Sequence, residues 1–74
     1  MRKTFIDHKN GSAYRLSEEY PGEVEFAPLY AKDDSFNFEE EGGIVEVWTE
    51  DEHPGHAQAE KERVLAGIEA SPAI

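Results

Sequence analysis

Cysteine is absent from the 74 residues, which removes disulfides, thiolate metal ligands and cysteine nucleophiles together. A domain this short has a marginal core, because ordering the chain costs about 1.5 kcal/mol per residue, close to what burial returns. Without a disulfide it needs a well-packed sheet-and-helix core, a partner, or both. Long apolar runs are missing as well. Arg2 and Lys3 are followed by Thr4-Phe5-Ile6-Asp7, not by the apolar stretch that a signal peptide or a membrane span requires. A soluble, cytoplasmic protein with no membrane partner is expected.

Positive charge is the third scarcity. Seven Lys and Arg face 17 Asp and Glu, for a formal net charge of -10. Such a balance repels a phosphate backbone, so direct nucleic-acid binding is not expected. It attracts a basic protein surface and speeds the encounter. High charge also accompanies disorder, but 38% hydrophobic residues, with four Phe, three Tyr and one Trp, are enough to build a core.

The charge is unevenly placed. Residues 1–16 carry a net +3, residues 17–56 a net -12 and residues 57–74 a net -1. The acidic middle also holds most of the strand signals. Glu23-Val24-Glu25-Phe26-Ala27 and Phe36-Asn37-Phe38-Glu39 alternate with period 2. Ile44-Val45-Glu46-Val47-Trp48-Thr49 is the strongest strand pattern, with Val45 and Val47 on one face and Ile44 and Trp48 on the other. A weaker strand covers 12–16, with Tyr14 and Leu16 on one face, and Phe5-Ile6 adds a short piece before it. Asn10-Gly11 predicts a type I′ hairpin joining residues 3–8 to residues 13–17. Tyr20-Pro21-Gly22, residues 31–35 and Glu41-Gly42-Gly43 read as turns or loops.

The period then changes. From about Gly55 to Ala70, Ala57, Val64, Leu65 and Ile68 share a helical face, with Lys61 at its edge and Glu60, Glu62, Arg63 and Glu69 around the rest. Gly67 costs this helix about 1 kcal/mol relative to Ala, which points either to a close approach to the sheet or to fraying. Ser71-Pro72 ends it. The expected fold is α+β: an antiparallel meander of three to five strands packed against one C-terminal helix, as one domain over 1–70 with a tail at 71–74.

The acidic doublets and triplets fall at turns and strand ends: Glu18-Glu19, Asp33-Asp34, Glu39-Glu40-Glu41 and Glu50-Asp51-Glu52. Carboxylates on a convex surface can stand where phosphates stand on a duplex, spaced about 3.4 Å along each strand. A partner-binding surface is therefore expected at Glu39, Glu40, Glu46, Glu50, Asp51 and Glu52, with Trp48 as anchor and Tyr20 and Tyr30 beside turns. Tyr and Trp are favoured interface residues, although most rings in so small a chain belong to the core. The bland alternative is a solvated acidic surface that aids solubility.

Catalysis finds little support. No nucleophile stands with its base in a recognisable pattern, Gly42-Gly43 lies among carboxylates that repel phosphate, and paired carboxylates need an enclosing pocket. His53 and His56 flank Pro54-Gly55 and are weak metal candidates, since a turn does not align them as a helical H-E-x-x-H does. No cofactor is implied. The expected function is a non-catalytic module that binds a basic protein, as an inhibitor or adaptor that mimics DNA or RNA. A self-associating accessory subunit, using a sheet face or edge, is the alternative. A small carboxylate- or metal-dependent hydrolase is more remote. Arg2, Lys3, Lys9 and Arg15 either pair within the molecule or orient it in a partner's field.

Overall fold

The computed structural model describes residues 2–45 and 56–72, without the side chains of His56 and Ala57. Four strands, β1 (Phe5–Asp7), β2 (Ser12–Leu16), β3 (Val24–Pro28) and β4 (Gly43–Ile44), form an antiparallel sheet in the order β1-β2-β3-β4. A four-residue helix α1 (Phe38–Glu41) precedes β4, and the C-terminal helix α2 spans His56–Ala70. The meander with one C-terminal helix is thus present. No helix among the described residues is long and apolar enough to cross a membrane.

Register explains which residues meet. Phe5 pairs with Tyr14 and Tyr14 with Phe26, while Leu16 pairs with Val24. Paired residues and alternate positions share a face, so these rings and Val24 line the side covered by α2. Val64 (0% exposed) and Ile68 (2%) of α2 join Tyr14, Val24 and Val45 in one buried cluster, against which Phe5, Phe26 and Leu65 pack. Val45 on this side and Ile44 opposite Glu25 agree with the expected alternation. Leu16, at the strand end, remains exposed despite its parity.

Gly67 is where helix and sheet come closest. A Cβ there would lie 2.7 Å from Cδ2 and Cε2 of Phe5, so of the two expected reasons for this glycine the structure shows close approach. Beside it, the almost fully buried Asp7 accepts from Arg63 Nη2 at 2.7 Å. Arg63 also holds Glu60 at 2.6 Å, and Asn10 Nδ2 donates to Glu60 at 2.9 Å. This network ties α2 to the first hairpin. Hydrogen bonds from Arg63 and then Asn10 outweigh desolvation and lower the Glu60 pKa to about 2.

The opposite face carries Ile6, Ala13 and Ala27 on one diagonal and Arg15, Glu25 and Ile44 on the next. Ala13 and Ala27 are completely buried, so this face is covered too. Over this face the Phe38 ring of α1 sits 4.1 Å from Arg15 Cζ, while in the plane of the sheet Leu29 N–H on the Gly11 carbonyl at 2.9 Å extends the β2–β3 pairing.

Two local expectations need correction. Phe36–Glu39 is not a strand. Asn37 accepts from the amides of Glu39 (3.0 Å) and Glu40 (3.1 Å) as an N-cap, and Glu39, Glu40 and Glu41 fill the first turn, where carboxylates favour a helix. The Phe36–Phe38 spacing instead gives an edge-to-face ring pair with centroids 5.4 Å apart. The first hairpin joins the expected segments, but not by a type I′ turn. Asp7 pairs with Ser12 across the loop His8–Gly11, and Gly11 (φ 65°) has positive φ while Asn10 does not. A four-residue loop of this kind needs one left-handed residue near its end. By contrast Tyr20-Pro21-Gly22 is a turn as expected, and the structure shows its type as II, with Glu23 N–H on the Tyr20 carbonyl at 3.0 Å and Gly22 at φ 87°.

Candidate functional site

The chain carries few bases, and the structure directs its arginines inward. Arg2 Nη2 donates to Glu25 Oε1 at 2.8 Å and also to the Leu16 carbonyl, while Nη1 lies 3.2 Å from Glu18 Oε1. Arg15 Nε reaches the same Glu25 oxygen at 3.3 Å. Burial works against the Glu25 charge, but the hydrogen bonds from Arg2 and Arg15 outweigh it and hold the carboxyl below its ordinary pKa. Arg63 is committed to Asp7 and Glu60. Lys3 pairs with Glu69 at 3.2 Å. Intramolecular pairing of Arg2, Lys3 and Arg15 is therefore present.

The remaining acids among the described residues, and Glu18 despite its pair with Arg2, face solvent. The β2–β3 loop is fixed by Ser17 N–H on the Glu23 carbonyl (2.9 Å) and by Tyr20 N–H on Ser17 Oγ (3.0 Å). It projects Glu18, Glu19 and Tyr20, the last 53% exposed. The loop after β3 closes on itself. Tyr30 N–H bonds the Ser35 carbonyl at 2.9 Å, Asp34 N–H bonds the Tyr30 carbonyl at 2.8 Å, and Asp33 Oδ1 accepts from Ser35 N–H at 3.1 Å. Hydrogen bonds from the Ser35 side chain and backbone hold the Asp33 pKa below its usual value. Asp34 takes φ 57°, a left-handed conformation that Asp tolerates better than most residues. Tyr30 is 49% exposed, and its hydroxyl donates to Glu41. Glu39 and Glu40 are exposed on α1.

Of the expected partner-binding residues, Glu39, Glu40, Tyr20 and Tyr30 are thus all on the surface. Tyr30 and α1 belong to one stretch of chain, tied by the Tyr30–Glu41 bond. Tyr20 lines an open depression of about 340 Å³ that reaches the end of α1 at Gly42. Arg2, Ser17, Glu18, Glu19, Glu25, Gly42, Gly43 and Ile44 complete its lining. Glu46, Trp48, Glu50, Asp51, Glu52 and His53 lie outside the described residues, as does the side chain of His56. Among the described residues no three metal-type donors come together.

The Arg2–Glu25–Arg15 cluster was not anticipated as a unit. Its signal was available in part, because Arg15 and Glu25 sit at matching positions of adjacent strands, where opposite charges attract. Arg2 gave no such sign. Comparison of the chain with protein-family models, with curated proteins and with solved structures finds no match.

Proposed function

We propose that this chain is a non-catalytic, acidic protein-binding module of the cytoplasm. It docks on the basic, nucleic-acid-binding surface of another protein and acts as an inhibitor or adaptor by mimicking DNA or RNA. The observation that carries this reading is the sorting of charge. Arginines are half-buried and consumed by internal pairs, whereas Glu18, Glu19, Glu23, Asp33, Glu39 and Glu40 stand exposed on ordered turns and a capped helix. Exposed Tyr20 and Tyr30 add amphipathic contact area near these carboxylates. Glu46, Trp48, Glu50, Asp51 and Glu52 belong to the same proposal on sequence grounds.

The mechanism is exclusion rather than chemistry. A negative surface steers the protein to a basic groove and then occupies the volume that nucleic acid would fill. Capture from the native host at low salt tests this, comparing the protein with a variant in which Glu39, Glu40, Glu46 and Glu50 are changed to Gln. Nucleic-acid-handling proteins are expected with the first and lost with the second. A set of captured proteins unchanged by the substitutions would refute the reading. A concentration-dependent mass, equally unaffected by them, would favour the self-associating subunit instead.

A further inference from the structure

The first hairpin carries a chemistry of its own. Its loop, residues 8–11, ends in Asn10-Gly11, and both residues are exposed. In such a pair the Gly11 amide nitrogen can attack the Asn10 carboxamide carbon, because glycine puts no side chain in the way and leaves the backbone free to turn. The space beside Gly11 is open, with nothing within 4 Å of where a Cβ would stand. Asn10 is also the residue that ties this loop to α2. Its Nδ2 donates to Glu60 Oε1 at 2.9 Å and to the Tyr14 hydroxyl at 3.3 Å. The same Glu60 oxygen accepts from Arg63 Nη2 at 2.6 Å, and Arg63 in turn holds the buried Asp7.

We propose that Asn10 is a site of spontaneous deamidation, with water as the co-reactant, and that its conversion to aspartate or isoaspartate unfastens α2 from the first hairpin. The Gly11 nitrogen loses its proton and bonds to Asn10 Cγ. The Cγ–Nδ2 bond breaks, and ammonia leaves with that proton. Water then opens the cyclic imide, its hydroxyl going to carbon and its hydrogen to nitrogen. Opening at Cγ restores the original chain with an aspartate, whereas opening at the Asn10 carbonyl carbon leaves an isoaspartate, whose chain runs through Cγ. Either product replaces the Nδ2 donor by a negatively charged acceptor. It faces the Glu60 carboxylate, and like charges at that distance repel. Tyr14 can turn its hydroxyl proton to the new oxygen, which keeps the longer of the two contacts and leaves the repulsion in place. Lys9 and Arg63 are the cations that act on Glu60, but Arg63 is already shared with Asp7. Isoaspartate also lengthens the backbone by a carbon just before Gly11, whose carbonyl accepts from Leu29 N–H at 2.9 Å.

Ageing the purified protein in warm, mildly alkaline buffer, followed by trypsin digestion and mass spectrometry, tests the inference. The peptide 10–15 should gain the mass of an amide-to-acid conversion and divide into aspartate and isoaspartate forms. A fresh sample digested alongside should show neither. Asn37, which precedes the bulky Phe38, supplies the internal comparison and should stay intact. Amides of α2 should exchange faster in the aged protein. Asn10→Asp should lower Tm by several degrees more than Asn10→Ala, which removes the bond without adding the charge, and salt should narrow the gap. An Asn10 that survives ageing as well as Asn37 does would overturn the modification site. Equal melting of Asn10→Asp and Asn10→Ala would overturn the effect on α2. Neither result touches the docking function.

Discussion

Replacing Gly67 by Ala should destabilise the protein, against the usual rule for a helical glycine. In an exposed helix interior the substitution gains about 1 kcal/mol. Here the added methyl would lie 2.7–2.8 Å from three ring atoms of Phe5. Phe5 has little freedom to retreat, since it pairs with Tyr14 across the sheet and stacks on that ring at 6.3 Å. Overpacking of this kind costs about 1–3 kcal/mol, so the net effect is a loss of about 0–2 kcal/mol. One kcal/mol corresponds to about 4–8 °C in Tm for a domain of this size. Thermal melts by circular dichroism read it directly. The decisive control is the Phe5→Leu background, where the smaller side chain leaves room and Gly67→Ala should recover its stabilising effect. The coupling in that double-mutant cycle should be about 1–3 kcal/mol. A rise of several degrees for Gly67→Ala in the unaltered protein would refute the close approach on which this account of α2 rests.

Acid should loosen the same junction. Glu60 has its pKa lowered to about 2, so below its ordinary value the unfolded chain binds the extra proton first. Its contribution is therefore complete above about pH 5 and is lost as pH falls towards 2; Glu25, also lowered, acts in the same direction. Glu60→Gln should flatten that part of a pH–stability curve measured by urea unfolding. Arg63→Met should cost about 2 kcal/mol by leaving the buried Asp7 carboxylate without its cation, and Asp7→Asn in that background should restore part of the loss in the same assay. Asn37→Ala should remove the cap of α1 at a cost of about 1 kcal/mol, seen as faster amide exchange at Glu39 and Glu40.

Period and turn chemistry made most of this fold legible. Val64, Leu65 and Ile68 marked the buried stripe of α2, Tyr20-Pro21-Gly22 marked a turn, and the alternation at 12–16 and 23–27 placed two adjacent strands. The error at Phe36–Glu39 came from reading two alternating rings as a strand. Asn37 followed by three glutamates carried the stronger physical signal, a cap and a first turn suited to the helix dipole. Asn10-Gly11 misled in a similar way, because Asp7 pairs with Ser12 and so lengthens the loop beyond the two-residue form. The surface was less legible than the core. Segment charge identified an acidic middle, but it could not show that Glu25 is neutralised from two sides while Glu18 and Glu19 are open to solvent. That distinction depends on cross-strand register and on Arg2 returning across the sheet, which no local pattern encodes.

Displacement of a labelled DNA or RNA duplex from the purified captured partner tests the central claim most directly. The protein should release the duplex stoichiometrically at low salt, and its own affinity should fall steeply as salt rises, because it uses the cationic groups that bind phosphates. A ternary complex that retains the duplex, with affinity indifferent to salt, would contradict nucleic-acid mimicry.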